Sequence, residues 1–513
     1  MKKILILTGF LALTLFSCSN DLDTEPKVQL SLEEILANDP NAIEGIVSRL
    51  YASFALSGPN GPTESDISDD AGESPFLRGI INLQDFTADG MKNRWGDDGL
   101  DQLTTTSNWD ANNKFFRYLY NRAYYTIPQC NNLLSILNTA TDIPDSEEAI
   151  YEARFLRSLA YFYIIDIFGK GVLVTEENLN ETTPLPEASR EELFNFVESE
   201  LLEIQPLISL NNDYGRANRY VVSMLLAKLY MNAEVYTGTS RYTDALTYLN
   251  VVIDEGGYAL ATNFVQNFSG DNDNSSEIIF PLIADAVFSQ SFGNTTYIVN
   301  GNLGTETMNL SDFGASEGWS GHRATEAWYG LFGDLGTSVD ARASLFWTTG
   351  HNYVMADYKA WTDGYPSIKF RNTDSDGSSS GATQFSGTDF PLYRLADANL
   401  MYAECALQGA AGTDMTKALS LVNAVRTRSN ATPITMSDLT LDYILDERAR
   451  ELNLEGHRRT DLIRFGKFTG SSYLWPWKGN VQNGTSISTN YNLFPIPESA
   501  LNANPNLEQN PGY

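Results

Sequence analysis

The sequence predicts an all-α fold, a scaffold of paired helices split by one long loop-rich insertion. Three observations carry that reading. Apolar residues recur at steps of three and four from about residue 30 to 257, Gly, Ser, Asn, Asp and Thr dominate from about 258 to 392, and helical patterning returns over 393–468. The clearest run is Phe115, Phe116, Leu119, Tyr120, Ala123, Ile127, Cys130 and Leu133, which puts an apolar stripe on one helix face. The pattern repeats at Ala153, Leu156, Leu159, Ala160, Tyr163 and Ile164, and again at Val221, Leu225, Ala227, Leu229 and Tyr230. Asp145-Ser146 ahead of Glu147-Glu148 supplies a cap and first-turn acids for the second of these helices. Small Ala positions among large aromatics let helices approach closely, as tetratricopeptide-type hairpins do, although no strict 34-residue repeat is present. The insertion holds polar stretches such as Ser269–Ser276 and Thr373–Gly381 together with Trp319, Trp328, Trp347 and Trp361. Leu395-Ala396, Met401-Tyr402-Ala403 and then Leu441, Ile444, Leu445 and Ala449 mark the returning helices. From Phe494 the tail carries four prolines between Pro495 and Pro511, which predicts an extended strap over the body.

Charge and composition narrow the function classes. Across 513 residues, 34 Lys+Arg face 65 Asp+Glu, a formal charge of −31. A nucleic-acid partner needs a basic footprint that releases counterions, so that class is excluded. Sulfated or uronic-acid polymers and anionic lipid headgroups are disfavoured by the same field. The 42% hydrophobic content excludes disordered and fibrous classes. Lys2 and Lys3 precede the apolar run Ile4–Phe16, a length that suits a signal peptide and is too short for a spanning helix. Leu15-Phe16-Ser17-Cys18 resembles a bacterial lipoprotein box, so residues 1–17 are read as a lipoprotein signal peptide and Cys18 as the lipid attachment site. Their removal takes two lysines and no acids, leaving a mature charge of −33. Cys130 and Cys405 sit in helical, apolar segments far apart and are expected as two buried thiols.

No motif for metalloprotease, phosphate-loop, paired-cysteine zinc or nucleophile-elbow chemistry is present. Asp374-Ser375-Asp376-Gly377 matches the opening of a calcium loop but lacks the bidentate Glu at the twelfth position, so it is read as a polar loop. No carboxylate pair is marked for glycoside hydrolysis. The charged run Glu447–Asp461 is read as a network pinning a helix end to the body, and Trp475 and Trp477 as strap packing. Aromatics framed by amides, acids and glycines are the informative constellation. Asp89–Asp98 sets Trp95 between Arg94 and two acids, and Ser316–Ser320 and Thr295–Asn300 have the same make-up. A flat ring covers the apolar C–H face of a sugar while Asn, Asp and Arg bond its hydroxyl rim.

Longer segments carry a resemblance. Glu152–Phe162, Phe168-Gly169 with Val172–Thr175, Glu277–Phe280, Arg394–Asp397 with Tyr402–Glu404, and Glu447–Lys467 follow in order the pattern of the SusD/RagB family of Bacteroidetes outer-membrane lipoproteins. Phe494–Pro497 and Asn504–Tyr513 are similar to the family's ending, while Thr460, Phe465 and Asn399 depart from its usual residues. The resemblance implies an all-α fold of tetratricopeptide-like helix pairs with loop insertions. Residues 18–513 then form one SusD-like domain: scaffold over 30–257 and 393–468, ligand-binding insertion over 258–392, and strap over 469–513. It further implies a cell-surface, lipid-anchored outer-membrane protein without catalysis, which captures a glycan and pairs with a SusC-like TonB-dependent transporter as its lid. The residues themselves mark no cofactor and no metal ligand set, and they leave a structural calcium open. Trp95 lies in a region resembling one family binding loop, and Tyr297 and Trp319 fall in the variable insertion. These three are the expected aromatic platform, with Asp89, Asn93 and Arg94 as hydrogen-bonding partners. The charge favours a neutral oligo- or polysaccharide, a glucan or mannan; the alternative is a peptide-binding lid like that of a RagAB importer.

Overall fold

Side-chain caps and apolar stripes build the helices at the expected places. Asn113 accepts a hydrogen bond from the Phe115 N–H (3.0 Å) and opens the Lys114–Leu137 helix. Asn218 accepts from the Tyr220 and Val221 N–H groups (2.9 and 3.1 Å) at the start of Arg219–Met231. All eight residues of the Phe115–Leu133 stripe are buried, and each large apolar side chain withdrawn from water contributes roughly 1.5–3 kcal/mol. The structure, a computed structural model, describes residues 32–39, 41–68, 70–96, 99–139, 143 and 146–513. The signal segment, Cys18, Asp97, Asp98 and the cap residue Asp145 lie outside the described residues. The helix that Asp145 was expected to cap runs Ser146–Ile167 with Glu147 and Glu148 in its first turn.

The fold is all-α, with tetratricopeptide-like pairing of successive helices. Lys114–Leu137 packs on Ser146–Ile167, and that helix packs on Arg190–Ile204. Arg219–Met231 packs on Tyr242–Asn250, and Leu395–Leu407 on Met415–Arg428. Cys130 and Cys405 are free, buried thiols, and burial pushes Cys130 up to about 12.

Among the described residues there are three short antiparallel strand pairs, one of which ties the insertion to the scaffold. Ile278–Leu282 pairs with Phe390–Arg394, so the two ends of the insertion are held side by side. Met91–Asn93 pairs with His322–Ala324, and Gly171–Val172 with Glu187–Ala188. Behind the first pair lies a buried ion network. Arg394 donates to Glu277 (2.8 Å), Glu451 (2.6 Å) and Glu455 (2.6 Å), Arg342 to Glu447 (2.8 Å) and Glu451 (2.7 Å), and Lys369 to Glu455 (2.5 Å). Every one of these groups is essentially solvent-free. The charged run over 447–461 is therefore structural, and two of its partners, Arg342 and Lys369, lie in the insertion.

The tail departs from a continuous extended strap. A one-and-a-half-turn helix, Glu498–Ala503, interrupts it. Around that helix Phe494 packs on Trp109 and Phe116 (5.0 and 4.8 Å between ring centres), and the Asn510 amide donates to the Phe168 and Phe494 carbonyls (2.8 and 2.7 Å). Trp475 is buried against Phe468, while Trp477 is half-buried.

Candidate functional site

The short sheet formed by Met91–Asn93 and His322–Ala324 brings together residues that are remote in sequence. Gly321 immediately precedes the His322–Ala324 strand, and the Trp95 indole lies on it: a Cβ there would sit 2.4 Å from the ring. The Trp95 Nε1–H donates to the Trp319 carbonyl (3.2 Å), and the Arg94 N–H to the Gly321 carbonyl (3.1 Å). Trp95 and Trp319 are thereby held with ring centres 6.3 Å apart and planes inclined by 57°. Both rings are half-buried, so part of each remains open to solvent.

Tyr297 is brought to the same cluster, 6.1 Å from Trp95, but beneath it. It belongs to the Thr295–Asn302 helix, whose eight residues are all buried, and its hydroxyl donates to Asn82 (2.7 Å). The Arg78 guanidinium covers its ring at 4.4 Å. Expected as a platform ring, Tyr297 is instead a supporting one. The third ring open in part to solvent is Phe292, half-buried, 6.5 Å from Trp319 at 47° and backed by Phe385 at 4.8 Å. Its signal was legible in kind: Ser291-Phe292-Gly293-Asn294 has the same aromatic-among-small-polar texture that singled out Trp319.

The expected polar partners divide likewise. Asp89 is fully buried, accepting from Arg458 (2.8 and 2.7 Å) and the Tyr473 hydroxyl (2.7 Å). Burial pushes its carboxyl up, but the Arg458 guanidinium and these hydrogen bonds outweigh that and hold it below the usual carboxylate range. Asp89, expected as a sugar partner, is instead sealed from solvent, because Arg458 and Tyr473 occupy both of its oxygens. Asn93 is also fully buried and caps the turn, accepting from the Trp95 N–H (2.7 Å). Arg94 stays half-buried beside the rings. Glu317, exposed, accepts from the Trp319 indole N–H (3.2 Å), and Ser320 is half-buried next to it. Asp70 flanks Phe292 across Gly72, where a Cβ would lie 3.6 Å from Asp70 Oδ1 and 3.7 Å from Phe292 Cβ. His322 packs 5.3 Å under Trp95; burial first, then the charges of Arg78 and Arg323, keep its imidazole neutral, far below its ordinary pKa.

The arrangement is a shallow arc of three tilted rings with a polar rim. It offers no nucleophile with a positioned base. Among the described residues no group of three or more His, Cys, Asp or Glu is placed to hold a metal. Asp271, near the calcium-like run, accepts instead from the Ser375 N–H and hydroxyl (2.8 and 2.7 Å). An apolar cavity of about 300 Å³, lined by Tyr51, Phe54, Leu156 and Phe280 among others, lies between the scaffold and the start of the insertion and shares no residue with the arc.

Known proteins resemble the chain over nearly its full length. The sequence profile of the SusD family matches residues 344–513. The starch-binding protein SusD of Bacteroides thetaiotaomicron is 33% identical over 551 aligned positions, which span 97% of this chain and 96% of that protein. SusD-like protein P25 of Formosa agariphila is 25% identical across 98% of this chain and 97% of its own length. Among solved structures, a SusD superfamily protein from Parabacteroides distasonis superposes with a TM-score of 0.73 at 20% identity, covering 94% of this chain and 100% of its own. Surface glycan-binding protein A from Bacteroides thetaiotaomicron, in complex with laminarihexaose, gives 0.71 at 20% identity over 92% and 99%.

Proposed function

This chain belongs to the SusD/RagB family, and from that premise we propose that it is a non-catalytic carbohydrate-binding protein of the cell surface. It captures a neutral glucan on the Trp95–Trp319–Phe292 arc and passes it to a SusC-like TonB-dependent transporter in the outer membrane, to which Cys18 anchors it by lipid. The observation that carries this reading is the arc itself: three half-buried rings, remote in sequence, presented side by side over a rigid floor. Ring planes inclined by 57° and 47° describe a curved surface. A coiling α-linked glucan follows such a curve, whereas a flat β-1,4-linked ribbon meets only one ring. The 33% identical relative is named for starch binding, in keeping with this choice.

Stacking contributes about 1 kcal/mol per ring beyond area burial. Three rings therefore give reversible capture, which transfer to a transporter requires. Arg94, Glu317, Ser320 and Asp70 supply the hydroxyl partners around the rim.

Affinity electrophoresis of residues 19–513 through gels containing single polysaccharides tests the proposal. Amylopectin or glycogen retards the chain, and Trp95→Ala or Trp319→Ala weakens the retardation about fivefold each. A folded chain that no glycan gel retards, but that binds a peptide mixture, overturns the proposal in favour of a peptide-binding lid.

A further inference from the structure

A second concave surface lies elsewhere on the insertion. The loop Gly333–Gly336, the exposed Thr348, and Tyr353 and Tyr365 enclose a cleft of about 450 Å³. Tyr353 is 47% exposed, a large fraction for an aromatic ring. Its ring stands against Tyr329 and Tyr365 (centres 5.0 and 6.1 Å), and the buried Tyr329 hydroxyl donates to its carbonyl. The segment carrying it is tied down at the preceding residue: the Asn352 amide donates to Asp363 (2.9 Å), and the Gly364 N–H to the Asn352 carbonyl (3.1 Å). Opposite, Asp334 forms a tight turn by accepting the Gly336 N–H at Oδ1 (2.9 Å), while its other oxygen accepts no hydrogen bond from a described residue.

A rigid exposed ring, a carboxylate with acceptor capacity and a threonine hydroxyl are the groups that sugar recognition needs. The neighbouring depression, about 300 Å³, shares the same loop through Ser338 and Val339. Its two cations are already committed, since Arg426 and Arg450 both donate to Glu447 (2.7 and 2.8 Å). An anionic ligand finds no unpaired cation there, whereas a neutral polyol needs none. The two binding surfaces share one support. Tyr365 is bridged to Ala324, two residues along the strand from His322, which packs under Trp95.

We propose that the Tyr353 cleft is a second carbohydrate subsite, taking another stretch of the neutral glycan held on the aromatic arc. This rests on the reading of the chain as a glycan binder. Two subsites on one rigid body raise the retention of a polymer above that of a short oligosaccharide, because the second contact is made at high effective concentration.

The test is affinity electrophoresis in a polysaccharide that retards the wild-type chain. Tyr353→Ala lowers retention about fivefold, and Tyr353→Phe, which keeps the stacking face, restores it. The Trp95→Ala/Trp319→Ala double variant keeps a residual retention that adding Tyr353→Ala removes. Thr348→Glu, at an exposed position, puts a second carboxylate beside Asp334 and also lowers retention, independently of any folding defect in Tyr353→Ala. Folded Tyr353→Ala and Thr348→Glu chains that migrate as wild type overturn the subsite and leave the arc standing. A wild-type chain that no gel retards overturns both.

Discussion

Phe292 and Tyr297 stand five residues apart and have opposite roles. Phe292 precedes the Thr295–Asn302 helix on a turn of small polar residues and remains open in part to solvent; Tyr297, one turn in, is buried with its hydroxyl spent on Asn82. The composition of the stretch was legible, but which ring faces outward depends on helix phase against a strand far along the chain. The same holds for Trp95. Its partner Trp319 lies 224 residues away, and nothing local to Asp89–Arg94 announces that Asp89 will be sealed under Arg458. Phe292→Ala is therefore expected to weaken glucan retention about fivefold. Tyr297→Phe is expected to leave retention intact while lowering stability by about 1 kcal/mol, the net worth of one buried hydrogen bond. Parallel affinity electrophoresis and thermal unfolding of the two variants measure this.

Among elements, the long helices were legible and the short strands were not. An apolar stripe sustained over Phe115–Leu133 repeats enough to specify period and face, whereas three-residue strands such as Met91–Asn93 carry no measurable alternation and are buried on both sides. Yet the Met91–Asn93 and His322–Ala324 pair is what aims the platform. Its critical position is Gly321, whose missing side chain leaves room for the Trp95 indole. Gly321→Ala places a Cβ inside that ring's contact distance and forces Trp95 out of register with Trp319. We expect it to reduce glucan retention at least as much as Trp319→Ala, with the helical circular dichroism unchanged, although Gly321 itself is not a rim residue. In the tail, the prolines made the strap legible; the Glu498–Ala503 helix was hidden because a turn and a half is too short for periodicity to register.

At the scale of the molecule, the insertion is locked to the scaffold by buried charge. Glu447–Asp461 was legible as a network, but only locally; its reach to Glu277, Arg342, Lys369 and Arg394 required the fold. Burial pushes Glu447 up, and Arg342, Arg450 and Arg426 more than reverse that, bringing it down to about 2. Asp461 is likewise held at about 2, burial being outweighed by Arg448 and Arg464. Folded values below unfolded ones mean that this stability is fully present above the unfolded carboxylate range, near 4. It is lost as pH falls from there through about 2. Thermal unfolding followed from pH 7 to pH 2 should show a midpoint steady to about pH 5 and then falling steeply. Glu447→Gln should destabilise the neutral-pH protein by about 3–5 kcal/mol, since it leaves buried guanidinium groups underpaired, and should flatten the acid limb.

The central claim is that a curved neutral glucan lies on Trp95, Trp319 and Phe292. It is tested most directly by a crystal structure of residues 19–513 with maltoheptaose. Successive glucose rings are expected to stack on these three side chains, their hydroxyls bonded to Arg94, Glu317, Ser320 or Asp70. Glucose density at a distant surface, with the arc bare, would contradict it.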